Sequence, residues 1–165
     1  LLDLDTNICP IPPKGNQPVA AMLIPLEQKI IINENCGHMP QGFEESSIAH
    51  EIGHWILHIN RTNLTKYQQR QQLGLKVPTI EPLHRIYQAQ NLPRIEWQAQ
   101  YFAGCLLMPK FKLVEGKKGR NLTNWKHLYA MADELGVTIS NLTRRLQDLD
   151  WIYISNKSKR IYLSK

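Results

Sequence analysis

Ile48-Ala49-His50-Glu51-Ile52-Gly53-His54-Trp55-Ile56-Leu57-His58 is the stretch whose reading decides the fold. Its apolar residues recur with helical spacing. On a wheel begun at Ile48, the side chains of Ile52, Trp55, Ile56 and Ile59 fall within about 100° of one another. His50, Glu51, His54 and His58 take the opposite arc. One face of this helix is built for burial and the other for polar chemistry. Positions four apart lie one turn apart on the same face, so His50 and His54 can offer two imidazole nitrogens to one Zn²⁺, with the Glu51 carboxylate beside them. Gly53 suits a close approach by a neighbouring element or a substrate. Ser46 or Ser47 is a candidate cap at the helix start, unless Glu44 and Glu45 already occupy its first turn, where the helix dipole favours acids. Asn60 marks its end.

Two histidines do not complete a catalytic zinc site, so a third ligand has to come from elsewhere. His58 lies about 12 Å further along the axis than His50, too far for one ion to bind both in an unbroken helix. The better candidate is Glu96, in Glu96-Trp97-Gln98-Ala99-Gln100-Tyr101-Phe102-Ala103-Gly104-Cys105-Leu106-Leu107-Met108-Pro109. On that helix Glu96 shares a face with Ala99, Ala103 and Leu107. The small alanines permit close packing that would bring the carboxylate to the metal. The competing account of Glu96 is a solvated acid in a helix's first turn.

With both segments in view, the chain resembles the ImmA/IrrE family of bacterial zinc metallopeptidases, which show A-H-E-x-G-H-x-x-L-H followed by E-x-x-A-x-x-F-A-x-x-L-L-M-P. The match covers both ligand-bearing helices and extends more weakly to the C-terminal helix pair. The resemblance implies Zn²⁺ held by His50, His54 and Glu96, with Glu51 as general base. It also implies a protein substrate, typically a helix-turn-helix transcriptional repressor encoded nearby. Such sequences often carry Asn or Asp, a partner for a ligand histidine, where this chain has Gln100.

Composition agrees with a compact enzyme. The 165 residues, 42% of them hydrophobic, suffice for a core. No run of 18 apolar residues is present, so no membrane-spanning helix is expected. The chain opens Leu1-Leu2-Asp3-Leu4-Asp5, with no initiator Met or signal pattern, so an upstream segment is an open expectation. Cys9, Cys36 and Cys105 lack C-x-x-C spacing, which fits a cytoplasmic protein without a disulfide scaffold.

The net charge of +6 is uneven. Residues 1–109 hold eight Lys and Arg against nine Asp and Glu, or −1; residues 110–165 hold twelve against five, or +7. This asymmetry accompanies a break after Pro109. Residues 1–109 read as a zincin-like metallopeptidase core, and 110–165 as a helical and β-hairpin subdomain packed on it. The fold expected is α+β, with a small antiparallel sheet packed on the His-Glu-x-x-His helix.

Within the core, residues 6–18 read as a meandering surface segment rich in proline. Val19–Ile24 and Lys29–Asn33 read as two strands joined by Pro25-Leu26-Glu27-Gln28. An edge strand is expected to take an extended substrate by strand addition. Residues 61–94 read as helical stretches broken by Gly74, Pro78, Pro82 and Pro93. There His84 and Tyr87, one helical face apart, are candidate oxyanion or cleft contacts, as is His58 on the zinc helix; ordinary surface positions are the alternative.

Lys110–Arg120 reads as a basic loop. Trp125, Leu128, Tyr129, Ala132 and Leu135 mark one amphipathic helix stopped by Gly136. Ile139, Leu142, Arg145, Leu146 and Leu149 outline a second. Trp151–Ile154 and Arg160–Leu163 alternate around Asn156-Lys157-Ser158-Lys159 as a hairpin. Helix, turn, helix and hairpin is also the outline of a winged helix-turn-helix, with Arg144, Arg145, Lys157, Lys159 and Arg160 as candidate contacts to nucleic acid or an acidic partner. The favoured reading keeps this piece within the peptidase fold, its charge recruiting a repressor. The rival functions are a non-catalytic zinc-binding regulator that binds DNA or the repressor, and a toxin–antitoxin partner built from the same residues.

Overall fold

A computed structural model of the chain describes residues 3–15, 19–36, 39–78, 83–86 and 94–164, with only the backbone described at 36 and 83–86. It is α+β, as the patterning predicts. Its contacts divide the chain into two units. The first comprises residues 1–39 and 47–100, the second 40–46 and 101–165.

The first unit is built on a four-stranded sheet of order β1-β3-β2-β4, from β1 (Asp5–Cys9), β2 (Val19–Ile24), β3 (Lys29–Asn33) and β4 (Leu83–Ile86). The two strands read from the sequence are its interior pair, running antiparallel with Leu23 opposite Ile30. They are legible because an interior strand is apolar nearly throughout, and β2 is buried along most of its length. The edges were not legible. β1, Asp5-Thr6-Asn7-Ile8-Cys9, pairs in parallel with β3 and is exposed at its first four positions, which leaves it polar and without a strand signature. Residues 6–9 are therefore strand where a meander was expected. β4 replaces part of the helical reading of residues 61–94.

Sharp connections set the register. A 3-10 turn at Pro25–Glu27 leads to Gln28 in the left-handed conformation (φ 52°), whose carbonyl accepts the Asp5 N–H at 2.9 Å. The proline-rich segment is pinned by one buried side chain. Asn33 Oδ1 accepts from the Ile11 N–H at 3.2 Å, while its Nδ2 donates to the carbonyls of Ile11 and Val19 at 3.3 and 2.7 Å.

Helix α1 (Phe43–His58) carries Glu44 and Glu45 in its first turn, so Ser46 and Ser47 lie inside it and do not cap it. From α1, Trp55 is buried against Ala21, Leu23, Ile30 and Ile32 of the sheet, with Ile48 and Ile52 at the margin of the cluster. Ile56, expected in that stripe, is 40% exposed. Helix α2 (Arg61–Gln72) follows at once. Asn60 is its N-cap, accepting from the Asn63 N–H at 3.1 Å, and buried Leu64 adds to the core.

Helix α3 (Arg94–Leu107) buries Ala99 and Ala103, as its wheel predicts. The second unit then packs α4 (Lys110–Gly116), α5 (Trp125–Leu135), α6 (Ile139–Asp148) and the antiparallel hairpin β5 (Ile152–Ile154) and β6 (Ile161–Leu163). Its core is wholly apolar at the centre, with Leu113, Leu128, Met131, Leu142 and Leu146 at 0% exposure. Helices α5 and α6 and the hairpin fall where the sequence put them. Asn124 and Thr138 cap the two helices, and Gly136 (φ 64°) stops the first. The basic loop at Lys110–Arg120 is instead half helix. A seven-residue helix with one buried leucine offers too few turns to show a period. Gly42 admits no side chain, because at φ 79° an added Cβ would lie 2.4 Å from the Gly136 carbonyl oxygen.

Candidate metal centre

The apolar stripe of α1 faces the sheet, and the opposite arc carries His50, Glu51 and His54, which are buried as well. They are 2%, 0% and 0% exposed. Burying polar groups is costly unless they are paired or hydrogen-bonded, and here the two imidazoles are held against each other and against a carboxylate. Helix α3 supplies the fourth member from its first turn, as Glu96.

The donor atoms converge. His50 Nε2 and His54 Nε2 are 3.1 Å apart. The Glu96 carboxylate divides between them, Oε2 lying 3.1 Å from His50 Nε2 and Oε1 3.1 Å from His54 Nε2. One ligand atom from each of the three lies within 4.8 Å of the others, so His50, His54 and Glu96 can hold a metal ion. Donors about 2.0–2.1 Å from a tetrahedral ion stand about 3.3 Å from one another, close to the spacing found here. Burial alone would raise the Glu96 pKa, but hydrogen bonds and charge from His50 and His54 more than reverse it, bringing the carboxyl to about 2. The third position is thus held as a carboxylate to well below its ordinary range.

Behind this cluster lies a second layer. His54 Nδ1 is 3.0 Å from His58 Nδ1, and His58 Nε2 is 3.1 Å from Gln98 Oε1. Both ring nitrogens of His58 are engaged inside the protein, which removes it as an oxyanion donor. Gln98 did not emerge from the sequence. Its only signal was its place two residues after Glu96, and position 100 drew the attention instead.

The remaining candidates scatter. His84 falls on strand β4, not on a helix, so the shared helical face that paired it with Tyr87 does not exist; Tyr87 lies outside the described residues. Arg145 does not belong to an exposed basic surface. It is 6% exposed, donates from Nε to the Met108 carbonyl at 3.3 Å and lies 5.6 Å from the Tyr101 ring centroid. There it meets the negative end of α3. Arg144 is exposed and paired with Asp148 at 3.1 Å, while Lys157, Lys159 and Arg160 line the exposed turn of the hairpin. Helix α6, the expected reading helix of a winged fold, has Leu142, Thr143 and Leu146 buried, and Asn141 Nδ2 donates to Ser46 Oγ at 2.6 Å.

A histidine pair on one helix and a glutamate on another, beside a small sheet, define a zincin-like protein. The chain belongs to the Peptidase_M78 family, whose model, the IrrE N-terminal-like domain, matches residues 8–147. No curated protein matches it. Among the described residues no helix is long and apolar enough to cross a membrane.

Proposed function

We propose that the chain is a zinc-dependent endopeptidase that hydrolyses one peptide bond in a cytoplasmic protein substrate, a helix-turn-helix transcriptional repressor. The observation carrying this reading is the convergence of two buried imidazole nitrogens and one carboxylate, each 3.1 Å from the next. Two nitrogens and one anionic oxygen are the donor set of hydrolytic zinc sites, which keep a fourth position open.

A zinc ion held there supplies Lewis acidity, which acidifies water and polarises a carbonyl group. The protein supplies the rest. Glu51, adjacent to His50 and fully buried, takes the proton of the attacking water and returns it to the leaving amine. Burial keeps competing bulk water from this carboxylate. Among the described residues the sheet has β1 and β4 at its edges, where an extended peptide can join by main-chain hydrogen bonds. The chemistry belongs to residues 1–109, and the basic residues of 110–165, with Lys157, Lys159 and Arg160 foremost, attract an acidic face of the substrate.

The repressor rests on the resemblance described above, and the cytoplasm on the three cysteines without C-x-x-C spacing. The peptidase reading is favoured over a DNA-binding regulator because His50, His54 and Glu96 converge on one point, while Arg145 is buried against the Met108 carbonyl and Arg144 is paired with Asp148. The test is to load the protein with one equivalent of zinc and incubate it with the repressor encoded beside it. A single new cleavage product is expected. Glu51→Gln should retain zinc and lose about 10²–10⁴-fold in cleavage rate. Near-native cleavage by that variant would remove Glu51 from its role. Intact substrate together with steeply salt-dependent DNA binding would favour the regulator.

A further inference from the structure

We propose that His58 and Gln98 form a positioning relay that decides which nitrogen of His54 carries its proton, and so presents His54 Nε2 as a lone pair to the metal. The inference rests on the metal-site reading.

The chain of contacts has a direction. Gln98 Oε1 can only accept, so His58 Nε2, 3.1 Å away, is the donor. A neutral imidazole has one N–H, which leaves His58 Nδ1 as an acceptor. The group facing it at 3.0 Å is His54 Nδ1, which must then donate. With its proton on Nδ1, His54 turns its Nε2 lone pair toward the metal position, 3.1 Å from His50 Nε2.

The relay has something to oppose. In the metal-free protein the Glu96 carboxylate, acceptor on both oxygens, favours the opposite tautomer, with the proton on His54 Nε2, which cannot ligate. Each partner that stabilises the Nδ1–H form removes part of that penalty before the ion arrives. Reversing the Gln98 amide would reverse the whole chain: its NH₂ would donate to His58 Nε2, His58 Nδ1–H would donate to His54, and the proton would return to the metal side. Position 98 is thus the place where a small change sets the tautomer two residues away. His54 and His58 lie one turn apart on α1, as Glu96 and Gln98 lie two apart on α3, so the two helices meet in a ligand layer and an orienting layer. Partners of this kind influence metal affinity about 10–100-fold.

The test reads metal affinity by chelator competition, with apo-protein thermal stability and Co²⁺ visible absorption as companions. His58→Leu should bind Zn²⁺ about 10–100-fold more weakly than the parent, with an altered Co²⁺ spectrum. His58→Gln, which can accept the His54 Nδ1–H through its own oxygen, should recover part of that loss. Gln98→Leu should weaken binding about 3–10-fold, while Gln98→Glu, an acceptor that cannot be reversed, should bind at least as tightly as the parent. The double variant His58→Leu/Gln98→Leu should be no weaker than His58→Leu alone, because Gln98 acts only through His58.

A purely structural role predicts otherwise: additive losses, matching drops in apo stability and no difference between Gln98→Leu and Gln98→Glu. Equal affinities of those two, or His58→Leu within twofold of a parent that binds one equivalent, would overturn the relay. Should His58→Leu fail to fold, the two Gln98 variants still decide it. If the parent takes up no stoichiometric Zn²⁺ and Glu96→Gln behaves identically, the metal reading itself has failed, and the relay with it.

Discussion

The two units bury their side chains for opposite purposes. Around α5 and α6 the apolar cluster centres on Leu113, Leu128, Met131, Leu142 and Leu146, and its burial lowers the free energy of the fold directly. Around α1 one helix face packs apolar residues on the sheet, while the other buries His50, Glu51 and His54 at almost no exposure. That second burial is unfavourable unless the groups are paired, and it is offset here by contacts among the imidazoles and with the Glu96 carboxylate. The contrast separates a core that holds structure from a cluster that holds function.

Substitutions can break that contrast from either side. The largest effect is expected from Glu96→Ala, which leaves only two of three ligands. Stoichiometric zinc uptake at micromolar metal should disappear, while far-ultraviolet circular dichroism of the metal-free protein stays native. Retained one-to-one binding would show that another acid serves the site. On the structural side, Leu142→Ala should cost about 2–5 kcal/mol in urea unfolding, from lost apolar burial and the cavity left behind. A cost below 1 kcal/mol would mean that this core is less tightly packed than its burial indicates.

A smaller effect concerns acid. The Glu96 carboxyl is lowered from 4.5 to about 2. Because the folded value is the depressed one, its contribution to stability is present above about 4.5 and fades as pH falls toward 2. In chelator, the stability advantage of the parent over Glu96→Gln should therefore shrink across that window, measured by urea midpoints at pH 6 and pH 3. A constant difference would contradict the charged state assigned to Glu96. The smallest effect is expected at Arg145. A long apolar replacement, Arg145→Met, should stay within about 1 kcal/mol of the parent, since a buried charge and a well-packed apolar side chain contribute similarly. It should also leave any binding of acidic partners unchanged, unlike replacement of the exposed Lys157 and Lys159.

Much of this architecture was legible beforehand, for identifiable reasons. β2 and β3 showed themselves as apolar runs, α5 and α6 as amphipathic periods with caps, and the hairpin as alternation around a polar turn. What escaped lacked a pattern long or apolar enough to register. Strand β1 is polar because it is an exposed edge, α4 is too short for a period, and the four residues of β4 sit among prolines that read as helix breaks. Arg145 was misplaced because a basic residue on an amphipathic helix reads as surface. Its burial depends on the Met108 carbonyl and the Tyr101 ring, 37 and 44 positions away in the chain.

The division at the site follows the same logic. His50, Glu51 and His54 were determined by the sequence alone, because helical geometry brings positions four apart onto one face whatever surrounds them. Glu96 could be nominated but not placed, since nothing in the order of residues sets the distance between two helices. Only the tertiary structure put its carboxylate 3.1 Å from both imidazoles and joined Gln98 to His58. Local periodicity is written in the chain, whereas hydrogen bonds between residues forty positions apart exist only once the intervening segments have packed.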